Sequence, residues 1–425
     1  MSIFNKEDFK NTQWFIIEKL LQVVVAIFII PKIFNSLNTS NIGQLEFSKA
    51  TIGILTPFLF LGLSAICIRE LIFNPKEKHK IIATTFVLRL LSFCVIFTGL
   101  VLYYLTSTES NINTIVLLLS FSYFFKITDV FEFYIQATKQ SKLLFIAKST
   151  SLLIITLAQY YGVIKNFDVF YFASIISIDY LVLGIIYSYF LIKTKQLQLH
   201  LFTFCKATAI NLLKGSFPLL VSNLLISFYL VIDELFLKHY WSDHINGIFA
   251  TVEFLVIYLS WGIGAAIIFG FYPALAETYN FNKSLYNKRM RYLTSTVIIF
   301  GLCIGIFYTL FGDIIIDTFY NKEYEEAKTP LKIFCWAPLF VFVGMLYEKH
   351  LVNQDKLMNN IYRFAIGCIA NVFLCYLLIP KYNATGAAIA VLISHFITNI
   401  GYLFLDRQNF VKIKLMIKNN FDIDR

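Results

Sequence analysis

Ionisable side chains stand inside long apolar runs of this sequence, and they are the residues best placed to do chemistry. The basic ones are Arg69, which closes its run, Arg89 and Lys126. The acidic ones are Asp129, Asp179, Asp233 and Glu253. A charge at the centre of a membrane helix costs roughly 2.5–3.5 kcal/mol on insertion scales, so such residues usually face a water-filled cavity and bind or relay charged species.

The sign and depth of these residues indicate two kinds of chemistry. Arg89 lies roughly 13 Å into its run at ~1.5 Å per residue, and arginine binds phosphate oxygens bidentately without losing its proton. We therefore expect the three basic residues to hold an anionic group that enters from the cytosol. The carboxylates are expected to bind a coupling H⁺ or Na⁺, or to line the cavity.

Two local expectations follow from spacing. Lys126 and Asp129 are three residues apart, so they share a helix face and can pair directly. Asp233 stands in the apolar segment FYLVIDELFL (228–237), and we expect it to be tolerated there because it faces an aqueous cleft. The alternative for all of these charges is structural, since some could pair with one another or reach the membrane interface.

Composition identifies the chain as a membrane protein. Of its 425 residues 58% are hydrophobic and only 15% are charged, with a mean hydropathy of +0.69, whereas soluble domains are about 25% charged. The seven cysteines are scattered without a CxxC pair, so neither a disulfide framework nor a zinc site is predicted. No cofactor is expected.

Apolar runs of spanning length recur along the sequence and predict an all-α polytopic protein. The twelve predicted spans are 13–31, 50–68, 81–105, 113–136, 143–164, 169–192, 215–237, 247–271, 292–319, 333–352, 361–380 and 385–405. The longest cytoplasmic link divides them six from six. The predicted domains are a first bundle at 1–192, a linker at 193–214, a second bundle at 215–405 and a basic tail at 406–425. Two such halves with both termini on one side would be parallel repeats around a central cleft.

Charge asymmetry predicts the orientation of the spans. The segments that would lie on the terminal side hold 25 Lys and Arg, and the alternate segments hold 8. By the positive-inside rule both termini are cytoplasmic, and the expected location is a bacterial cytoplasmic (inner) membrane. The excess positive charge would also attract anionic membrane lipids. No basic face interleaved with aromatics stands outside the spans, so nucleic acid is not an expected partner.

The breaks between spans are too short for a soluble catalytic domain. The sequence contains no GxxxxGK[ST], HExxH or GxSxG motif, which argues against an ATP-driven pump or a hydrolase. An enzyme is therefore not predicted.

Three stretches of the sequence carry recognisable motifs: NIGQLEFSKATIGILTPFLFLGLSAICIREL (41–71), FPLLVSNLLISFYLVIDELFL with INGIFA (217–250), and NVFLCYLLIPKYNATGAAIAVLIS (371–394). They resemble the Wzx-type polysaccharide (O-antigen repeat-unit) flippases of the multidrug/oligosaccharidyl-lipid/polysaccharide exporter superfamily. In the first, LGL precedes Arg69; in the last, LIP-x-Tyr precedes Gly-Ala-Ala. Cys375 departs from the family's frequent Asn, and Asn383 from its frequent Gly. Asn is the next best residue after Gly where φ is positive, so the outer turn is expected to be unaltered.

The resemblance implies a substrate and a mode of action. The substrate would be an oligosaccharide on undecaprenyl pyrophosphate, as in lipopolysaccharide synthesis, moved to the outer leaflet by alternating access. A polysaccharide polymerase and a chain-length regulator would be partners. The resemblance points to Arg69 and Asp233 as functional residues. The cavity of the family is typically cationic, which fits Arg89 and Lys126. The alternatives are an ion-coupled exporter of small molecules or drugs and a membrane-embedded polysaccharide polymerase or ligase.

Overall fold

A computed structural model of the chain describes residues 6–106, 110–138, 140–194, 198–354 and 356–405, and the predicted tail at 406–425 lies outside them. The regular elements of these residues are all helical. The α-helices are α1 (Lys6–Phe60), α2 (Leu63–Phe73), α3 (Lys78–Leu105), α4 (Ser110–Lys126), α5 (Asp129–Ala137), α6 (Ser141–Ile164), α7 (Val169–Lys193), α8 (Lys206–Tyr240), α9 (Asp243–Glu253), α10 (Gly262–Phe281), α11 (Lys283–Phe319), α12 (Lys328–Phe334), α13 (Ala337–Asn353), α14 (Leu357–Phe396) and α15 (Tyr402–Leu405). π-Helical stretches, Phe254–Trp261 and Ile397–Gly401, join α9 to α10 and α14 to α15.

The length of these helices accounts for the predicted number of crossings. Among the described residues, eight helical segments are long and apolar enough to span a membrane, and the α4–α5 and α12–α13 regions each form one more span bent by 40° and 48°. Two of the eight, Leu20–Phe73 and Met358–Phe404, contain 54 and 47 residues. At ~1.5 Å per residue each is more than twice the ~30 Å thickness of the hydrocarbon core, so each must cross twice. Counted in this way the described residues hold twelve crossings, and the all-α polytopic prediction is confirmed.

Asparagine makes the turn inside each of these two long segments. Asn38 has φ 61° and ψ 165°, and Asn383 has φ 45° and ψ −131°. The Asn38 Oδ1 accepts the backbone N–H of Asn41 at 3.0 Å, as an N-cap residue does at the start of a helix. The positive φ expected of Asn383 is confirmed, because Asn adopts left-handed backbone more readily than other residues with a side chain.

A further break lies at the LGL motif between α1 and α2. Leu61 and Gly62 have φ of 54° and 64°. A Cβ on Gly62 would lie 2.8 Å from the backbone N of Leu220 and 2.8 Å from the carbonyl oxygen of Ser216 on α8. Glycine is therefore required both by the backbone conformation and by the close approach of α8. The helix α2, which carries Arg69, begins directly after this break.

The described chain forms two compact units. One unit comprises residues 44–235, and the other, called here the C-terminal unit, comprises 1–43 and 236–425. Their boundaries differ from the predicted bundles at 1–192 and 215–405, since the beginning of the chain belongs with the C-terminal part. The division into two six-helix bundles stays a prediction.

Hydrogen bonds explain why the first 43 residues belong to the C-terminal unit. The Tyr324 hydroxyl donates to the carbonyl oxygen of Phe34 at 2.8 Å. Asn35 donates from its side chain to the carbonyl oxygen of Phe319 at 2.9 Å. The Asn246 side chain donates to the carbonyl oxygen of Gly43 at 3.0 Å. The turn region of α1 is thereby tied to α9 and to the segment that follows α11.

Candidate functional site

A buried arginine lies in the 44–235 unit, held between two aromatic rings. The guanidinium carbon of Arg89, on α3, is 4.7 Å from the ring centroid of Phe60 and 4.7 Å from that of Phe133. Its Nη2 donates to the Ser64 hydroxyl at 3.2 Å. Arg89 is only 2% exposed, and its Nε and Nη1 have no hydrogen-bond partner within the described ranges. Ring faces attract the cation, but they leave two donor nitrogens, with three N–H groups, unsatisfied.

A second cation, Lys126, lies against the same Phe60 ring. Its amine is 5.4 Å from the Phe60 centroid, 5.5 Å from that of Tyr123 and 4.4 Å from that of Tyr180. The amine also donates to the Tyr180 hydroxyl at 3.2 Å. The break after Phe60 at the end of α1 lets one ring touch α3 and α4 together, so the two cations share an aromatic wall.

The predicted ion pair between Lys126 and Asp129 is wrong. No hydrogen bond or ion pair joins these two residues in the described part of the chain. The helix breaks between them, at Ile127 and Thr128, and the axis bends by 40°, so the one-turn geometry of a continuous helix is lost. Asp129 instead begins α5, where the helix dipole favours a carboxylate, and it interacts electrostatically with Lys126, Glu132 and Arg89.

Two other acidic groups of this unit, Asp179 and Glu132, have close polar partners. The Asp179 Oδ1 accepts the Ser151 hydroxyl at 2.5 Å, which joins α6 to α7. Glu132 forms an ion pair with Lys148 at 3.0 Å. The structure thus gives Asp179 a fixed orientation beside Tyr180, the residue that contacts Lys126.

Arg69 stands apart from the buried cluster. Its side chain is 54% exposed and forms an ion pair with the adjacent Glu70 at 2.9 Å. It lies near the end of α2, as the sequence indicated, but it does not share the aromatic wall of Arg89 and Lys126. An exposed, paired guanidinium can meet an anion in solution, although it binds less strongly than a desolvated one.

Two further predicted residues lie outside the cluster. Asp233, on α8, is 2% exposed and its Oδ1 has no hydrogen-bond partner among the described residues. The expectation that Asp233 faces water is therefore wrong in this conformation, because packing removes the carboxyl from solvent. Glu253 is half-buried at the end of α9, directly before the π-helical stretch.

The cluster around Arg89 has the chemistry of an anion site. A guanidinium offers its N–H groups in a planar fork that matches the oxygens of phosphate. The two rings restrict the rotation of this fork, so less freedom is lost when an anion binds. Lys126 adds a second positive charge to the same wall.

Sequence reasoning missed the aromatic wall and one buried charge. Tyr123 precedes Lys126 by three residues, and that spacing on a helix could have identified it. Phe60 and Phe133 carry no local signal because tertiary packing brings them to Arg89. Arg363, at the start of the predicted span 361–380, was not singled out, yet it is 1% exposed and donates to the carbonyl oxygen of Gly344 at 2.8 Å.

Comparisons with known proteins give the family and the fold. Residues 9–279 match a family model described as polysaccharide biosynthesis protein, and residues 218–377 match one described as MatE. The chain is 22% identical over 405 residues to the capsular polysaccharide biosynthesis protein CapF of Staphylococcus aureus, covering 94% of this chain and 100% of that protein.

Solved transporter structures share the fold at low identity. A MOP superfamily transporter from Pyrococcus furiosus, described as having a binding pocket of reverse polarity, is similar with a TM-score of 0.70 and 14% identity, over 95% of this chain and 96% of that one. An outward-facing multidrug resistance MATE transporter is similar with a TM-score of 0.69 and 14% identity, over 95% and 96%. The expected resemblance to the exporter superfamily is confirmed, and these neighbours are transporters rather than enzymes.

Proposed function

Because this chain belongs to the polysaccharide biosynthesis protein family, we propose that it carries an oligosaccharide linked to undecaprenyl pyrophosphate from the cytoplasmic to the outer leaflet of a bacterial cytoplasmic membrane. The chain is a multi-pass membrane protein of a transporter fold. Its relative CapF is named for capsular polysaccharide. The proposed substrates are therefore either repeat units of a capsule or O-antigen units of lipopolysaccharide. The product would be taken up by a polymerase with its chain-length regulator.

The observation that carries the proposal is the buried guanidinium of Arg89 with two unsatisfied donor nitrogens, Nε and Nη1. A buried donor without an acceptor costs about 1–3 kcal/mol. A diphosphate oxygen would remove this cost and would be attracted by Lys126 as well. Because Arg89 is closed off in this conformation, the substrate must bind in a state that opens the cluster. A ligand that binds one state better shifts the equilibrium toward that state, and alternating access depends on such shifts. In this proposal both termini lie in the cytoplasm.

The acidic residues supply candidates for ion coupling in this proposal. Asp129 interacts electrostatically with both cations, so a change in its protonation would alter the field at the anion site. Asp179, Asp233 and Glu253 are the other candidates to bind H⁺ or Na⁺. Intramembrane carboxylates serve this purpose in many pumps and transporters.

An exporter of small cationic molecules is the second candidate, favoured by the MatE match over residues 218–377. Such a substrate needs free aromatic faces and negative charge. In the 44–235 unit, the faces of Phe60, Tyr123 and Tyr180 are taken by Lys126. The protein's own cation therefore competes with a cationic substrate there, which favours the anionic substrate.

Leaflet-specific detection of the lipid-linked repeat unit tests the proposal. Cells that lack the protein should accumulate the unit on the inner leaflet, and the wild-type gene should restore it to the outer leaflet. Arg89→Met should fail to restore it, Arg89→Lys should restore part, and Lys193→Met, at an exposed lysine, should act as wild type. Single units accumulating outside would identify a polymerase instead.

Full restoration by Arg89→Met would remove Arg89 from the mechanism. The amount of each variant in the membrane fraction must be measured in parallel. An Arg89→Met protein that is absent from the membrane would report on folding alone. In that case the test is Arg89→Lys, which retains the charge but lacks the planar guanidinium and should restore only part of the translocation.

A further inference from the structure

An apolar groove lies within the C-terminal unit and shares no residue with the cluster around Arg89. Its volume is about 580 Å³, and its fifteen lining residues come from α1, the π-helical stretch Phe254–Trp261, α10, α11 and the position directly after α11. Along α11 the lining extends from Phe300 to Phe319, with Tyr320 directly after the helix. Twenty residues of helix measure ~30 Å, which is about the thickness of the hydrocarbon core. The groove is therefore long enough for an extended chain.

The π-helical stretch shapes one wall of the groove. Such stretches are rare and often mark functional sites. The Tyr308 hydroxyl, on α11, donates to the carbonyl oxygen of Leu255 in this stretch at 2.7 Å. This bond satisfies the polar end of Tyr308 and fixes its ring as an apolar surface. The wall is consequently well defined.

One polar group in the lining lacks a partner. The Tyr320 side chain is 6% exposed, and its hydroxyl has no hydrogen-bond partner in the ranges that the structure describes. Its ring is placed by Phe34 and Tyr324, at centroid distances of 6.2 and 5.4 Å. A buried hydroxyl without a partner is uncommon and calls for an explanation. A ligand in the groove with a hydrogen-bond acceptor at one end would supply it.

The charge of the lining selects the kind of acceptor. No Lys, Arg, His, Asp or Glu is among the fifteen lining residues. A phosphate or diphosphate buried there would lack a counter-ion, and burying an unpaired charge is costly. A neutral ester carbonyl can accept from a single hydroxyl without that cost. Phe307 and Phe319, which are 48% and 42% exposed, leave the groove accessible from its side.

We propose that this groove binds one acyl chain of a membrane phospholipid, with the ester carbonyl of that chain accepting a hydrogen bond from Tyr320. The hydrocarbon lies along α11 against the π-helical wall, and the charged headgroup stays outside the groove. The site is independent of the transported substrate.

Lipid retention by the purified full-length protein tests this site. The protein is titrated in detergent with dioleoylphosphatidylglycerol, and bound lipid is counted by native mass spectrometry. Cys303, an exposed residue of the lining, allows the groove to be filled by Cys303→Trp. The matched control is Leu310→Trp on the same helix, at a residue that is 65% exposed and not in the lining.

We expect one tightly held phospholipid on the wild type and on Leu310→Trp, and about tenfold less retention by Cys303→Trp. Tyr320→Phe, which keeps the ring, should weaken binding roughly 2- to 10-fold, the range for one net hydrogen bond. Equal retention by wild type, Cys303→Trp and Tyr320→Phe would overturn the proposal. So would retention of undecaprenyl phosphate in a parallel titration without retention of phospholipid. If Cys303→Trp is not monodisperse, the proposal is judged on Tyr320→Phe alone, and equal lipid retention by Tyr320→Phe and wild type would overturn it.

Discussion

The ring centroid of Phe60 lies 4.7 Å from the guanidinium carbon of Arg89. The same ring is 5.4 Å from the amine of Lys126, so one side chain at the end of α1 contacts both the buried Arg89 and the half-buried Lys126. The LGL break follows Phe60 directly, because α1 ends there and Leu61 and Gly62 have positive φ. The site thus depends on backbone geometry as much as on charge.

Loss of the shared ring should affect both cations. A cation–π contact contributes about 0.5–2 kcal/mol, so Phe60→Leu should lower the stability of the protein by ~1–3 kcal/mol and reduce transport. Phe133→Leu, which removes the ring on the other side of Arg89 only, should have the smaller effect. Thermal denaturation in detergent measures stability, and Phe121→Leu, at a ring that is 44% exposed, is the control. Equal effects from Phe60 and Phe121 would contradict the shared wall.

Lys126 should depend more on its charge than on its hydrogen bond. Tyr180→Phe keeps the ring 4.4 Å from the amine and removes one acceptor, which is worth about 0.5–1.5 kcal/mol. We expect transport to fall by less than about tenfold on that basis. Lys126→Met removes the positive charge and should reduce transport more. A stronger defect in Tyr180→Phe than in Lys126→Met would show that the hydroxyl itself has the main role.

Gly62 should not tolerate a side chain. Its φ of 64° costs an ordinary residue roughly 1–2 kcal/mol, and a Cβ would lie 2.8 Å from backbone atoms of α8. Gly62→Ala should therefore lower the melting temperature and the yield of folded protein. Gly99→Ala is the matched control, because no atom beyond the neighbouring backbone of its own helix lies within 4 Å of its Cβ position, and alanine is favoured inside a helix. The two variants should move the melting temperature in opposite directions.

Asn383 should be replaceable by glycine but not by alanine. Its φ of 45° and ψ of −131° lie where a Cβ is unfavourable. Asn383→Gly should leave stability unchanged or raise it, whereas Asn383→Ala should lose about 1 kcal/mol. Asn111→Ala, at an exposed helical position, controls for the loss of an asparagine. Identical melting curves for the Gly and Ala variants of Asn383 would rule out the strained turn.

The sequence was informative wherever the physics is local. Hydropathy located the crossings, and the comparison of Asn383 with glycine anticipated its positive φ. The buried state of Arg89 could not be read from spacing, since Phe60 and Phe133 reach it from distant parts of the chain. The Lys126–Asp129 pair failed because nothing in the local sequence marks the break at Thr128. Asp233 was expected to face water because the free-energy cost of placing its charge in hydrocarbon was considered for a single helix. The packing of neighbouring helices against that residue was not visible in the sequence.

The central claim is that Arg89 binds the diphosphate of a lipid-linked sugar during translocation. Purified protein in liposomes, loaded with a fluorescent oligosaccharide on undecaprenyl pyrophosphate, reports translocation as loss of protection from an added quencher. One charge-assisted hydrogen bond is worth about 1.5–3 kcal/mol, so Arg89→Met should slow translocation roughly 10- to 100-fold, with Arg89→Lys between Met and wild type. Arg89→Met liposomes that translocate at the wild-type rate, with equal protein incorporated, would contradict the account.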